Sequence, residues 1–525
     1  MQDPASPNPR VSAAQRRLWT LAALFLTAIL ISFLLQLPTW RVADWGQFAF
    51  YDPGTTLKGD ALLAKGYTPT IDFGYTHGLL SLLYGRLGFA LLGRTPSAFL
   101  TLTLFTELVM AWAIARILVA AGISRKGALV FLAALPMAIM PAYLTLTHPL
   151  EAMFILLGLA AQAEGKRVQA LVLATVCLFV KPSMAYVYGF LLTVIIIWNI
   201  VRHSRVTWSE RLFSILRQLF PAAVTGITLF IALSLWFGPA PVLRSLLPIA
   251  GARTYSATHF GFFTENGRAF WLTATSGEFF ITPAFAYILA AAASLFGALG
   301  SAWMLIRRPV VPATQILSRQ RAWEILLTAG LLNTAFLLGF YGWPGSWTYY
   351  SYLPSLGLAA VTVLVPVRRN PRLFIAVAVI ALLLLSHTQL IGTIFAAWRD
   401  KSRSPDTAGL WAYPDQFTEW QEALQSTRNQ NTLVFTNGWI PQLPPHVSLP
   451  DAWFPEAGIP TTSELARIKA QAQASQCVIL WKNYRPFEDA WDSPELTPLH
   501  DDFKPIFTGK WFTVLQRTTP QPGTQ

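Results

Sequence analysis

Long apolar runs separated by short polar connections fill the chain up to about residue 395. The first covers residues 18–37. Others follow at about 98–120, 127–146, 150–163, 168–180, 186–201, 220–237, 279–306, 325–341, 353–367 and 373–395. A helix needs roughly 20 apolar residues to cross a bilayer, so the pattern predicts about 11 transmembrane helices. The runs at 150–163 and 168–180 are short, which implies tilt or local thinning. Residues 18–37 are too long, and lack the small-residue cleavage site, to be a removed signal peptide.

Beyond about residue 396 the pattern changes. Charge, Pro and Trp become frequent, strand-like runs lie at 432–436, 477–481 and 510–517, and helical spacing covers 414–427 and 462–474. The expected fold class is therefore a polytopic all-α membrane protein with a small C-terminal extracytoplasmic α/β domain. The membrane domain takes residues 1–395 and the soluble domain 396–525.

Basic residues set the orientation. Arg16-Arg17, Arg125-Lys126, Lys166-Arg167, Arg202 with Arg205, Arg307-Arg308 and Arg368-Arg369 occupy alternate connections. The positive-inside rule then puts the N-terminus in the cytoplasm and the C-terminal domain outside. A multi-pass protein of the cytoplasmic (inner) membrane is expected. Composition agrees: 54% hydrophobic and 12% charged residues exclude an ordinary soluble enzyme. The net charge of +13 follows from the loops and does not imply a nucleic-acid partner. Cys177 and Cys477 lie in different regions, so neither a disulfide nor metal-ligand spacing is expected.

One connection does not read like the rest. The first outer loop, residues 38–97, collects Asp44, Asp52, Asp60 and Asp72 with glycines, aromatics and His77. Asp52-Pro53-Gly54 is a turn or helix-start signal. Residues 55–65 have helical spacing stopped at Gly66, and 78–92 form a second amphipathic segment ended by Gly93. Two surface helices are predicted here. Asp44 marks the end of the first span, and Asp60 is placed where it could face solvent.

Asp52, Leu57, Ala61-Leu62-Leu63, Gly66-Tyr67, Asp72-Phe73, His77 and Leu92-Gly93 resemble the first outer loop of the C-superfamily membrane glycosyltransferases. The nearest pattern is that of the bacterial RgtA/B/C/D-like and mannosyltransferase-type enzymes. The resemblance covers roughly the first 200 residues, including His148 to Glu151 and Lys181 to Ser183. It departs at Pro53, where relatives often carry a second acid, so it assigns no second carboxylate there.

The resemblance implies inverting transfer of a sugar from a polyprenyl-phosphate donor to an acceptor hydroxyl at the outer face. The acceptor is a glycolipid, polysaccharide or protein, and membrane lipids surround the enzyme. No cofactor or metal is assigned, with a divalent cation left open. Such chemistry needs one carboxylate to take the acceptor proton. The lipid phosphate is already a good leaving group and needs cationic or polar stabilisation.

Asp52 is the candidate base; its alternative role is to cap the helix at Thr55. Asp72 is a second candidate, or orients the acceptor, or serves as a turn residue capping 75–80. Lys181, a costly cation at membrane level without a partner, is the candidate for the donor phosphate, with snorkelling as its alternative. Arg253, with His259 and Arg268, offers other cations. His77 and His148 are candidates to hydrogen-bond donor or acceptor. Glu151 is grouped with the binding residues, or pairs with Lys181 and makes both structural. Tyr349, in an aromatic run with Trp343 and Trp347, stacks a sugar or belongs to an interfacial belt. A lipid-linked glycan transporter or flippase, and an O-antigen ligase or polymerase, are the competing classes.

Overall fold

The computed structural model describes residues 16–24, 26–27, 52–75, 77–120, 146–203, 207–247, 295, 298–300, 302–303, 305–306, 323–332, 335, 414–435, 440, 443–453, 461–482 and 491–518. The second half of the span expected at 18–37, most of those at 127–146 and 279–306, the end of that at 325–341, those at 353–367 and 373–395, and the domain boundary near 395 lie outside these residues.

The membrane part is helical. Its elements are α1 (Asp52–Ala64), α2 (Leu79–Leu92), α3 (Pro96–Ala120), α4 (Thr147–Ala163), α5 (Arg167–Leu178), α6 (Pro182–His203), α7 (Trp208–Phe237) and α8 (Pro239–Leu246). A short apolar helix, α9 (Trp323–Leu332), packs beside them. Among the described residues, Ala98–Ala120, Pro182–Val201 and Trp208–Phe237 are long and apolar enough to cross a membrane. The protein is a multi-pass membrane protein.

α3, α4, α5 and α6 pack in sequence around a core of Ile114, Ile117, Leu156, Leu159, Ala174 and Tyr188. α7 lies against α5 and shows a stripe of exposed apolar residues, including Leu212, Leu216, Phe220, Ile227, Ile231 and Leu235. Residues three or four apart share a helix face, so this stripe is one continuous exposed apolar side.

One boundary differs from the sequence pattern. α7 begins at Trp208 and not near 220, because Thr207 and Glu210 form a capping box that starts the helix well before the apolar run. The long outer connection that follows residue 237 opens with α8, whose Arg244 Nη1 donates to the Thr70 carbonyl at 3.1 Å.

The two ends of the bundle differ. At one end Arg116 makes a bidentate pair with Glu164 at 2.7 and 2.9 Å, Lys166 joins at 2.9 Å, and Arg167 meets Glu324 at 2.7 Å. At the other end lie α1, α2 and the loop between them. α1 closes in a Schellman arrangement: Tyr67 N–H donates to Leu62 O, Gly66 N–H donates to Leu63 O, and Gly66 has φ +85°. Asp60 is buried, contrary to the solvent-facing expectation, because Arg86 and Arg94 pair with it at 3.1 and 2.6 Å. These pairs tie α1 to α2.

The C-terminal region builds its own sheet. α10 (Pro414–Ser426) and α11 (Thr462–Ala474) flank strands β1 (Thr432–Phe435), β2 (Val447–Ser448), β3 (Cys477–Trp481), β4 (Phe503–Thr508) and β5 (Phe512–Arg517). The strand order is β2-β1-β3-β5-β4, with β1 parallel to β2 and β3, and β5 antiparallel to β3 and β4. β1 is buried throughout, as a central parallel strand must be.

The loop after α1 is fastened to the end of α5. Gly78 N–H donates to Val180 O at 3.0 Å and Leu80 N–H to Phe179 O at 2.9 Å. This approach leaves no room for a side chain, because a Cβ on Gly78 would collide with the Phe179 carbonyl. Gly85, on α2, meets nothing nearer than ordinary van der Waals contact. Gly78→Ala should therefore lower the thermal unfolding midpoint in detergent markedly, while Gly85→Ala leaves it within a degree or two. Equal midpoints for the two variants would refute the pinned loop.

Candidate active site

The site is assembled from chain ends. α4 starts at Thr147, α5 stops at Leu178 and α6 starts at Pro182, all at the end of the bundle that carries α1. Lys181 occupies the joint between α5 and α6, where a Pro suits the first helical position. Its ammonium lies 2.8 Å from His148 Nδ1 and 3.5 Å from Glu151 Oε2. An ammonium only donates, so His148 Nδ1 accepts and the ring proton sits on Nε2. Glu151 is wholly buried, and its Oε1 accepts from Met184 N–H at 3.3 Å and Ser183 Oγ at 3.4 Å. These donors are the first turn of α6, where the helix dipole favours an anion.

His77 faces this pair. Its ring centre is 6.0 Å from that of His148, 5.7 Å from Tyr75 and 6.2 Å from Trp453, each edge to face. Burial, then the nearby Lys181 charge, pulls His77 down to about 3. The Tyr75 hydroxyl lies 2.8 Å from Ser81 Oγ, which donates to Gly78 O at 2.7 Å and accepts from Thr147 Oγ1 at 3.3 Å. Burial pushes that tyrosine up to about 12.

The C-terminal domain roofs the arrangement. Trp453 Nε1 donates to the Thr55 carbonyl at 2.9 Å, and its ring lies 5.0 Å from Tyr75. Glu464 accepts from Trp453 N–H and Thr461 N–H at 2.7 Å and from Gly74 N–H at 2.9 Å. Arg467 donates to the Asp72 carbonyl and covers the Tyr67 ring at 4.4 Å. Lys65 and Asp451 form an ion pair across the same seam. Behind it Lys58 is buried, and burial pulls its ammonium down to about 7 against the opposing pull of Asp451 and Glu464.

No protein-family model matches the chain, and no curated protein matches it in sequence. Solved structures do. ArnT from Cupriavidus metallidurans bound to undecaprenyl phosphate is similar with a TM-score of 0.50 at 12% identity, over 96% of this chain and 99% of that one. The fold is that of ArnT. Arabinofuranosyltransferase AftD from mycobacteria aligns with a TM-score of 0.41 at 14% identity, over 97% of this chain and 40% of that one. ArnT in the apo state aligns with a TM-score of 0.40 at 14% identity, over 95% and 99%.

On this ArnT fold the candidate residues fall into three groups. His77, His148, Glu151 and Lys181 come together at one place. Asp52 is the first residue of α1, one turn before the Thr55 carbonyl that holds Trp453. Asp72 lies in the turn between α1 and α2, where its Oδ2 accepts from Thr68 N–H at 2.7 Å, closing the turn behind it. Arg253 and Tyr349, with His259, Arg268, Trp343 and Trp347, lie outside the described residues. Among the described residues, no group of three or more His, Cys, Asp or Glu is placed to hold a metal ion.

Sequence reasoning missed Lys58, Trp453 and Glu464. The capping-box spacing of Thr461 and Glu464 was the one signal available for the last.

His77 carries a pH consequence. Its folded pKa is near 3 and its unfolded value near 6.5, so below about 6.5 the unfolded chain binds a proton that the folded chain refuses. This residue therefore costs stability progressively as pH falls from about 6.5 towards 3. His77→Gln should flatten the pH dependence of the thermal midpoint across that window. An unchanged slope would show that His77 is not held neutral.

Proposed function

We propose that the protein is an inverting glycosyltransferase of the cytoplasmic membrane. It transfers a sugar from a polyprenyl-phosphate donor to an acceptor hydroxyl at the outer face, with the C-terminal domain on that side. The observation that supports this reading best is the Lys181–His148 pair. It sets an ammonium beside an imidazole at the end of the bundle where α1 begins. A departing lipid phosphate needs such donors, and the similar ArnT structure holds undecaprenyl phosphate.

Asp52 is the proposed base. It opens α1, whereas the Asp72 carboxylate already serves its own turn. Inversion needs a single carboxylate to receive the acceptor proton while C–O bond formation and loss of the phosphate proceed on opposite faces of the sugar. His77, neutral at working pH, borders this cluster without adding charge. Arg253 and Tyr349 remain part of the proposed donor and sugar contacts. The concentration of acids in one outer loop favours transfer over transport, which would place its charges mid-membrane.

Asp52→Asn keeps the side chain's shape and its capping ability, since Asn caps about as well as Asp. It should abolish transfer by on the order of 10²–10⁴ with lipid binding intact. Asp72→Asn should retain most of the activity. The reverse pattern moves the base to Asp72, and activity in both variants refutes a carboxylate base in this loop.

Lys181 requires a paired test, because removing it alone strands a buried Glu151. The double variant Lys181→Met with Glu151→Gln should fold and show a donor KM raised on the order of 10–100-fold, the worth of one charge-assisted hydrogen bond. A folded double variant with wild-type kinetics would make the pair purely structural.

A further inference from the structure

Trp453 belongs to the C-terminal domain by sequence and to the membrane domain by packing. It is 1% exposed and belongs to the buried apolar cluster that contains Leu62, Phe73, Tyr75, Leu79, Leu82 and Phe179. The sheet's own core contains other tryptophans, Trp420, Trp481 and Trp491, but not this one. Its indole N–H reaches out of its domain to a carbonyl in the second turn of α1. Its backbone N–H is held from behind by Glu464, which caps α11 and grips Gly74 with the same carboxylate. The side chain is thus fixed at both ends, between the start of α1 and His77.

We propose that Trp453 is a positioning residue of this site: it locks the first turns of α1, and with them Asp52, against His77 and Tyr75. The C-terminal domain is then a part of the transferase machinery that enters the membrane domain through one inserted side chain. This inference rests on the proposed transferase reading for its kinetic consequence, and on geometry alone for its mechanical one.

The test uses the full chain in lipid nanodiscs and three proteins: wild type, Trp453→Phe and Trp420→Phe. Phe keeps an aromatic ring and loses the N–H. Trp420 lies in the sheet's own core, so its variant reports general loosening of the domain. Amide exchange across residues 52–60 should quicken about tenfold in Trp453→Phe, the worth of one buried hydrogen bond, with strands 477–481 and 512–517 unchanged. Transfer from lipid-linked sugar extracted from membranes should lose about tenfold in kcat, while undecaprenyl phosphate affinity stays within about twofold.

Unchanged exchange in 52–60, unchanged kcat, or an equal response in Trp420→Phe would each overturn the proposal. So would lost lipid affinity at constant kcat, which indicates a donor contact. A wild-type protein that transfers no sugar defeats the functional reading, and the exchange comparison then decides the anchor by itself. Should Trp453→Phe fail to fold, Thr461→Ala, which loosens the Glu464 cap behind Trp453, must produce the same exchange pattern or the proposal falls.

Discussion

One buried carboxylate holds the two halves of this molecule in register. Glu464 accepts N–H groups from Trp453, Thr461 and Gly74, and so joins the start of α11, the preceding loop and the turn between α1 and α2. Burial alone pushes its pKa up; the three backbone donors oppose that shift and make the charged form tolerable. Lys58 adds attraction from the far side of the seam. A buried anion of this kind accepts very little displacement, because each lost donor leaves part of the charge unsolvated. The seam therefore has one geometry. Trp453, Arg467 and Asp451 inherit their places from it.

α5 is short for a membrane span. α5 has 12 residues, or roughly 18 Å at 1.5 Å per residue, against about 30 Å of hydrocarbon. A helix so short cannot carry its end to the bilayer surface unaided. Lys181 is only 15% exposed and needs partners, which α4 supplies as His148 and Glu151. The loop at Gly78 reaches Val180, just past the same helix end.

Much of this was legible in the sequence. The Lys181-Pro182 break, the stop at Gly66, helix 462–474 and strand 477–481 follow from turn chemistry and periodicity, which are local. The grouping of Lys181 with Glu151 followed from one charge needing another. What sequence could not give is contact between residues nearly 400 positions apart, such as Trp453 with Thr55. Lys58 illustrates the difficulty. On helical spacing it is an ordinary surface lysine, and it becomes buried because a separate domain settles over it. Asp60 failed likewise, its partners lying 26 and 34 residues away on another element and its following turn.

The charges at the two ends of the bundle are arranged for different purposes. At the Glu164 end every contact is short, with Arg116 bidentate at 2.7 and 2.9 Å, a geometry that fixes structure and resists exchange of partners. At the Lys181 end the ion pair is 3.5 Å and Glu151 also has the α6 backbone to rely on. An anion arriving there need not find a bare cation, whose burial would be prohibitive. On the transferase reading it takes over Lys181 while Glu151 falls back on Met184 and Ser183, so neither charge is stranded. A cation paired in this way stays neutralised and can still be released to a phosphate. The tight pairs at the opposite end could not do that at comparable cost.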